Sequence, residues 1–130
     1  GNKFDLISDG ATDSLIICYG RHFSECIKAQ QKLKEEGILV DIIKLNVVNP
    51  VPAEAVELAQ KYKNIHFYEE HVRNGGVAGR FGLMLLENDY KNKYRAHCVE
   101  NYVIKQATVP QLFKLCKLDS ESIIKDIKGE

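Results

Sequence analysis

The sequence has no excess of charge of either sign and no long hydrophobic run. Its 130 residues include 18 Lys and Arg and 18 Asp and Glu, so the formal net charge is zero. Without a basic excess there is little to displace the counterions of a phosphate backbone, and we expect no nucleic-acid partner. No apolar run approaches the roughly 20 residues that cross a bilayer, so we expect no membrane partner either.

Paired cysteines are also lacking. The four cysteines, Cys18, Cys26, Cys98 and Cys116, are far apart and form no C-x-x-C motif. This pattern favours free, buried thiols in a reducing cytoplasm over disulfides or a metal site. Apolar residues make up 45% of the chain, which is long enough for one domain, 1–130, with a two- or three-layer core.

Strand-like and helix-like segments alternate along the chain. Apolar, β-branched runs predict strands over 4–7, 15–19, 39–48 and 65–68, and a weaker edge strand over 95–103. Apolar periodicity and capping residues predict helices over 23–36, 53–62, 77–88 and 108–116, and a last helix that starts at Asp119 or Ser120. Such alternation predicts a mostly parallel sheet with helices on both faces.

Polar residues follow the third core strand directly. Glu69, Glu70 and His71 come next, at the edge where open α/β sheets meet ligands and partner subunits. These side chains could hold a ligand or a proton, or bond across a subunit interface. Alternatively, one glutamate faces solvent and the other caps nearby backbone amides. Two carboxylates and one histidine are too few for an ordinary metal site.

Glycines follow this polar segment. Gly75, Gly76 and Gly79 could cradle a phosphate at a helix N-terminus. However, their spacing matches neither G-x-G-x-x-G nor a Walker loop. Close packing of the turn against a neighbouring loop is the other interpretation, and the one that the spacing favours.

Histidine and arginine side chains elsewhere are weaker candidates. Arg21 and His22 end another strand and could contact an anion beside the glycine turn, or could be exposed and solvated. His66 lies inside a strand and is expected to be a hydrogen-bonded structural histidine, and we assign no role to His97. The chain has no G-x-S-x-G elbow and no other complete catalytic set, so we predict no catalytic residue of its own.

Several segments resemble the C-terminal domain of the transketolase-like thiamine diphosphate enzymes. They are GATDSLIICYGR at 10–21, KEEG at 34–37, NVVNPVP at 46–52 and FYEEHVRNGGVAG at 67–79. The stretch 103–123, VIKQATVPQLFKLCKLDSESI, is similar to the ending of the 1-deoxy-D-xylulose-5-phosphate synthase branch. Together they cover nearly the whole chain in the right order.

The resemblance implies a three-layer α/β/α domain with a mixed, mostly parallel five-stranded sheet. It implies the third domain of a long chain, or the end of a separate subunit, in a homodimeric enzyme. Thiamine diphosphate, with Mg²⁺, would be bound by the preceding domains and not by this one. The residues implied at the interface or the active-site entrance are Glu69, Glu70, His71, Gly75, Gly76, Gly79, Arg21 and His22.

Two positions depart from the family pattern. In the synthases an arginine in an R-x-x-x-P pattern helps to hold a substrate phosphate, and the matching position here is Asn46. Either the phosphate is held otherwise or the substrate differs. His71 is the second departure, because E-E-H is commoner in transketolases than in the synthases.

The leading hypothesis is therefore the C-terminal domain of a thiamine diphosphate-dependent transferase. The synthase reaction joins pyruvate to glyceraldehyde 3-phosphate and begins isoprenoid precursor synthesis. Transketolase, including its split form, is close behind. A free-standing binding or regulatory module of the same fold is the hypothesis from another class, and the loss of arginine at Asn46 favours it.

Overall fold

The computed structural model describes residues 2–72, 76–100 and 117–130, with side chains described except at 71, 72 and 98–100. The strands in these ranges are β1 (Phe4–Ile7), β2 (Ser14–Tyr19), β3 (Asp41–Leu45), β4 (Asn64–Val72) and β5 (Lys93–Glu100). The helices there are α1 (Phe23–Glu35), α2 (Ala53–Ala59), α3 (Val77–Glu87) and α4 (Ser120–Lys128), with a 3-10 turn at Gly20–His22.

The strands form one sheet in the order β1-β3-β2-β4-β5. β1 runs antiparallel to β3, whereas β2 pairs in parallel with β3 and β4, and β5 pairs in parallel with β4. The predicted mixed, mostly parallel five-stranded sheet is confirmed. Because β2, β3, β4 and β5 run the same way, their carboxyl ends share one edge of the sheet and their amino ends share the other.

Successive side chains of the central strand β2 pack into two separate hydrophobic cores. Leu15 and Ile17 pack with α2 and α3 on one face, whereas Ile16 and Cys18 pack with α1 and α4 on the other. This alternation follows from the two-residue period of a strand. A strand covered on both faces must be apolar throughout, which is why LIIC is a continuous run.

Helix α1 ends at a glycine, as the sequence indicates. Gly37 has φ +78°, a left-handed conformation that costs other residues more, and Ile38 N–H donates to the Leu33 carbonyl at 2.9 Å. The turn leads the chain into β3. No helix in the described ranges has the length and hydrophobicity to cross a membrane.

The element boundaries differ from the prediction mainly in β3 and β4. The strand predicted over 39–48 is shorter, Asp41–Leu45. We predicted that β4 ends at residue 68, but it continues through Glu69, Glu70 and His71 to Val72, with an irregular register near its end. Pairing with β5 extends it, which the polar residues alone do not signal. The predicted helix over 108–116 lies outside the described residues. Cys18 and Cys26 are free and buried, as expected.

Candidate functional site

A carboxyl-edge cluster joins the ends of β2 and β4 to the start of α3; it consists of Tyr19, Arg21, Glu69, Glu70 and Gly76. At its centre, Glu69 is only 1% exposed. Its Oε2 accepts hydrogen bonds from the Tyr19 hydroxyl at 2.6 Å and from Val77 N–H at 2.9 Å, and its Oε1 accepts from Ala78 N–H at 3.1 Å.

This carboxylate stabilises the N-terminus of α3. The first N–H groups of a helix have no partner within the helix and carry partial positive charge, so a carboxylate there is favourable. Glu69 therefore acts as the cap that no side chain at the N-cap position, Gly76, can provide. One of the two expected alternatives, a glutamate that caps backbone amides, describes these contacts.

Glycine is required at position 76 because the same carboxylate lies so close to it. A Cβ at Gly76 would lie 2.8 Å from Glu69 Oε1, too close for any other residue without rearrangement. The first amides of α3 are already occupied by Glu69, so the alternative of a phosphate cradle conflicts with this geometry. Gly79 is exposed on α3 with open space around it, and Gly75 lies outside the described residues.

The second glutamate forms an ion pair across the same edge. Glu70 Oε2 accepts from Arg21 Nε at 2.8 Å, and Glu70 Oε1 pairs with Arg21 Nη2. The side chain of Arg21 is 57% exposed, so this paired, two-point contact lies on the surface. The backbone of His71 belongs to β4, and its side chain lies outside the description.

His22 departs from the expectation of an exposed or anion-binding residue, because it is 1% exposed. Its Nε2 lies 2.6 Å from the Leu118 carbonyl oxygen and its Nδ1 lies 3.4 Å from that of Tyr68. Burial lowers the pKa of His22, opposed by these two carbonyl contacts. The ring thus ties the end of β2 to the segment that leads into α4.

Asn46, the position of the family arginine, lies just past β3 at this edge. Its Nδ2 donates to Asp5 Oδ2 at 2.9 Å and to the Asn2 carbonyl at 3.2 Å. The bond from Asn46 is also the main reason that the pKa of Asp5 is lowered. These contacts attach the segment of β1 to the end of β3.

A second polar cluster, on the α4 side of β4 and β5, had no strong signal in the sequence. His66 Nδ1 lies 3.0 Å from His97 Nε2, and His97 Nδ1 lies 3.6 Å from Asp126 Oδ2, which also accepts from the Tyr68 hydroxyl at 3.0 Å. The rings of Tyr68 and His97 stack with centroids 4.5 Å apart. The expected hydrogen bond of His66 is confirmed, but its histidine partner was missed.

Neither cluster is a metal site. In the ranges that the structure describes, no three His, Cys, Asp or Glu side chains converge as metal ligands. The hydrogen bonds of the carboxyl-edge cluster join strands to a helix. It is suited to holding a surface in a fixed shape.

Comparison with known proteins agrees with this architecture. The model of the family described as "Transketolase, C-terminal domain" matches residues 3–123. The chain belongs to the transketolase C-terminal domain family. A 1-deoxy-D-xylulose-5-phosphate synthase from Parabacteroides distasonis is 32% identical, over 98% of this chain and 20% of the synthase.

A further relative and a solved structure of the same fold are both named as transketolases. A putative transketolase C-terminal section from Methanocaldococcus jannaschii is 27% identical, over 98% of this chain and 40% of that protein. The structure of a split-gene transketolase, an inactive β4 tetramer, has a TM-score of 0.81 over 97% of this chain and 41% of its own, at 20% identity. The predicted fold class is confirmed. The chain spans only 20% of the synthase from Parabacteroides distasonis that it matches.

Proposed function

We propose that this chain is the C-terminal domain of a thiamine diphosphate-dependent transferase and that it supports assembly and the active-site entrance. The observation that supports the proposal is the set of hydrogen bonds made by Glu69. Its buried carboxylate fixes the ends of β2 and β4 against the start of α3. A domain that borders an active site formed elsewhere needs such a rigid edge.

The surface of α3 offers a place for a neighbouring domain of the same enzyme. Leu83 is 60% exposed and Leu86 is 67% exposed, and both follow Gly79 at helical spacing. Exposed apolar groups that cluster on one face are typical of interaction surfaces. The synthase relative has four-fifths of its length outside the matched part, and we propose that the corresponding region contacts this face.

The cofactor belongs to that other region. Thiamine diphosphate supplies the reactive ylide when it is bound, and a diphosphate needs amides or cations that are not already engaged. The α3 N-terminus does not fit this requirement, because Glu69 occupies its amides. We expect no tight binding of thiamine diphosphate by this chain alone, and micromolar binding in calorimetry would contradict that.

The substrate is assigned by similarity to the synthase. We propose the condensation of pyruvate with glyceraldehyde 3-phosphate, in a cytoplasmic homodimer that serves isoprenoid synthesis. Ketol transfer between sugar phosphates is the second candidate, favoured by the putative transketolase C-terminal section, of which this chain covers 40%. Activity of the complete protein with pyruvate and glyceraldehyde 3-phosphate, compared with xylulose 5-phosphate and ribose 5-phosphate, separates the two.

The alternative hypothesis, a non-catalytic module of the same fold, can be tested from the neighbouring coding sequence. An enzyme of this kind needs a cofactor-binding Gly-Asp-Gly motif followed by Asn-Asn in the same or the adjacent reading frame. If neither frame encodes it, the transferase proposal fails. The contact of Asn46 with Asp5 gives no support to a regulatory site at that position, since it is explained by strand attachment.

The interface can be tested in the complete protein by adding charge to α3. Leu83→Lys with Leu86→Lys should weaken assembly and lower activity, because an apolar contact would then bury two ammonium groups. Leu39→Lys is the matched control, at a leucine that is 43% exposed before β3. Sedimentation and activity equal to those of the control would rule out this face as the interface.

A further inference from the structure

A cleft lies at the amino edge of the sheet, opposite the carboxyl-edge cluster. Its volume is about 160 Å³, and Ser14, Asn64 and Lys93, which begin β2, β4 and β5, line it. The last turn of α4, from Asp126 to Gly129, closes another side. At roughly 10–15 Å³ for each water position, the space is sufficient for a small ligand.

The strand register places two cations on the face that α4 covers. Asn64 pairs with Lys93 and His66 pairs with Arg95 across β4 and β5. Alternate residues of a strand point the same way, so Lys93 and Arg95 share the face of His97, which stacks on Tyr68 beneath α4. Two positive side chains therefore converge on one opening.

Lys93 and Arg95 pair with no carboxylate of the described residues, whereas Lys128 in the same cleft does. No described carboxylate lies within 4.0 Å of the charged atoms of Lys93 or Arg95. Lys128 pairs with Glu36 at 2.7 Å, and Asp126 accepts from Tyr68 and faces His97. Lys93 and Arg95 thus give two positive charges against the one carboxylate of Asp126, so the described lining keeps a net positive charge.

A buried imidazole lines the same cleft. His66 is 6% exposed, and the one hydrogen bond recorded for it joins its Nδ1 to His97 Nε2 at 3.0 Å. Its Nε2 has no hydrogen-bond partner among the described residues. Because His97 Nδ1–H faces the Asp126 carboxylate, His97 Nε2 accepts from His66 Nδ1–H, and His66 Nε2 is left as an acceptor for an O–H group of a ligand.

We propose that this cleft binds a small phosphate-bearing molecule, with Arg95 and Lys93 supplying charge and His66 Nε2 accepting a hydrogen bond from a protonated phosphate oxygen. Arginine matches the oxygens of phosphate in two-point geometry, and lysine adds a point charge. The site would be separate from the active-site entrance proposed above. Its existence does not depend on which reaction the complete enzyme catalyses.

Inorganic phosphate is the probe for this site. We would titrate it into the whole chain at constant ionic strength, with sodium chloride as the balancing salt, and follow backbone amide signals by NMR. Saturable shifts should appear near residues 64–66, 93–95 and 126–129. Arg95→Gln should weaken binding about tenfold, the value expected when one charge-assisted hydrogen bond is lost.

The control variant is Lys91→Gln, which removes an exposed charge just before β5 but outside the cleft. It should change the affinity by less than about twofold, because exposed charges are screened. His66→Gln is a second variant, read by circular dichroism for folding and by the same titration. Three results would each overturn the site: shifts that do not saturate, equal loss in Lys91→Gln and Arg95→Gln, or acetate that binds as tightly as phosphate.

Discussion

Replacing Glu69 by glutamine should destabilise the domain far more than the same change at Glu70. The side chains are isosteric, so the change removes charge and turns one acceptor into a donor. Glu69 accepts from Tyr19 and from the amides of Val77 and Ala78, and it is buried. An amide group there must leave at least one of these donors unpaired.

The magnitude follows from these contacts. A hydrogen bond to a charged group contributes about 1.5–3 kcal/mol, and a buried donor without a partner costs about 1–3 kcal/mol. We therefore expect the free energy of unfolding to fall by about 3 kcal/mol, or the melting temperature by about 10 °C for a domain of this size. Glu70→Gln removes only a surface ion pair with Arg21 and should cost less than about 1 kcal/mol.

Urea unfolding followed by circular dichroism measures both variants under identical conditions. The midpoint should shift for Glu69→Gln with little change in the slope, as for loss of native-state contacts alone. If the two glutamine variants were equally stable, the assignment of Glu69 as the link between β2, β4 and α3 would be refuted.

Three further perturbations test other parts of the structure. Gly76→Ala should lower the free energy of unfolding by about 1–3 kcal/mol, because its Cβ would lie 2.8 Å from Glu69 Oε1. Gly79→Ala, where the Cβ would lie in open space, should raise the free energy of unfolding by about 0.5–1 kcal/mol. A melting experiment measures both variants. Burial lowers the pKa of His66 from 6.5 to about 4, so between these values the unfolded chain binds the proton and the folded chain does not. Stability should fall as pH drops from 6.5 to 4, by roughly 2 kcal/mol after allowance for solvent screening, and this part of the loss should disappear in His66→Gln. Asp41→Asn should loosen the N-terminal strand, because Asp41 accepts hydrogen bonds from Ser8, Asp9, Ala11 and Tyr62. Amide hydrogen exchange in β1 should then be faster by at least about tenfold. Unchanged exchange would contradict that role.

The composition and patterning of the sequence were sufficient to predict the sheet and its covering helices. The continuous apolar run of β2 requires burial on both faces, and Gly37 marks the end of α1 by its left-handed conformation. These signals are local, since each depends on residues within one element. The same is true of the helix that begins at Ser120.

The roles of the polar residues depended on contacts between distant parts of the chain. Glu69 and Glu70 have the same chemistry and adjacent positions, yet strand alternation buries one against Tyr19 and turns the other toward Arg21. His22 has the neighbours of an exposed turn residue but packs against Leu118, 96 residues later.

The sequence by itself determined which segments form strands and helices, because hydrophobic periodicity is written within each segment. Only the tertiary structure decided which polar groups meet. Register across β4 and β5 brings His66, Arg95 and His97 together, and the packing of α4 adds Asp126. The spacing of these residues along the chain does not predict that they lie together. Strand pairing joins residues whose separation in sequence depends on the whole fold.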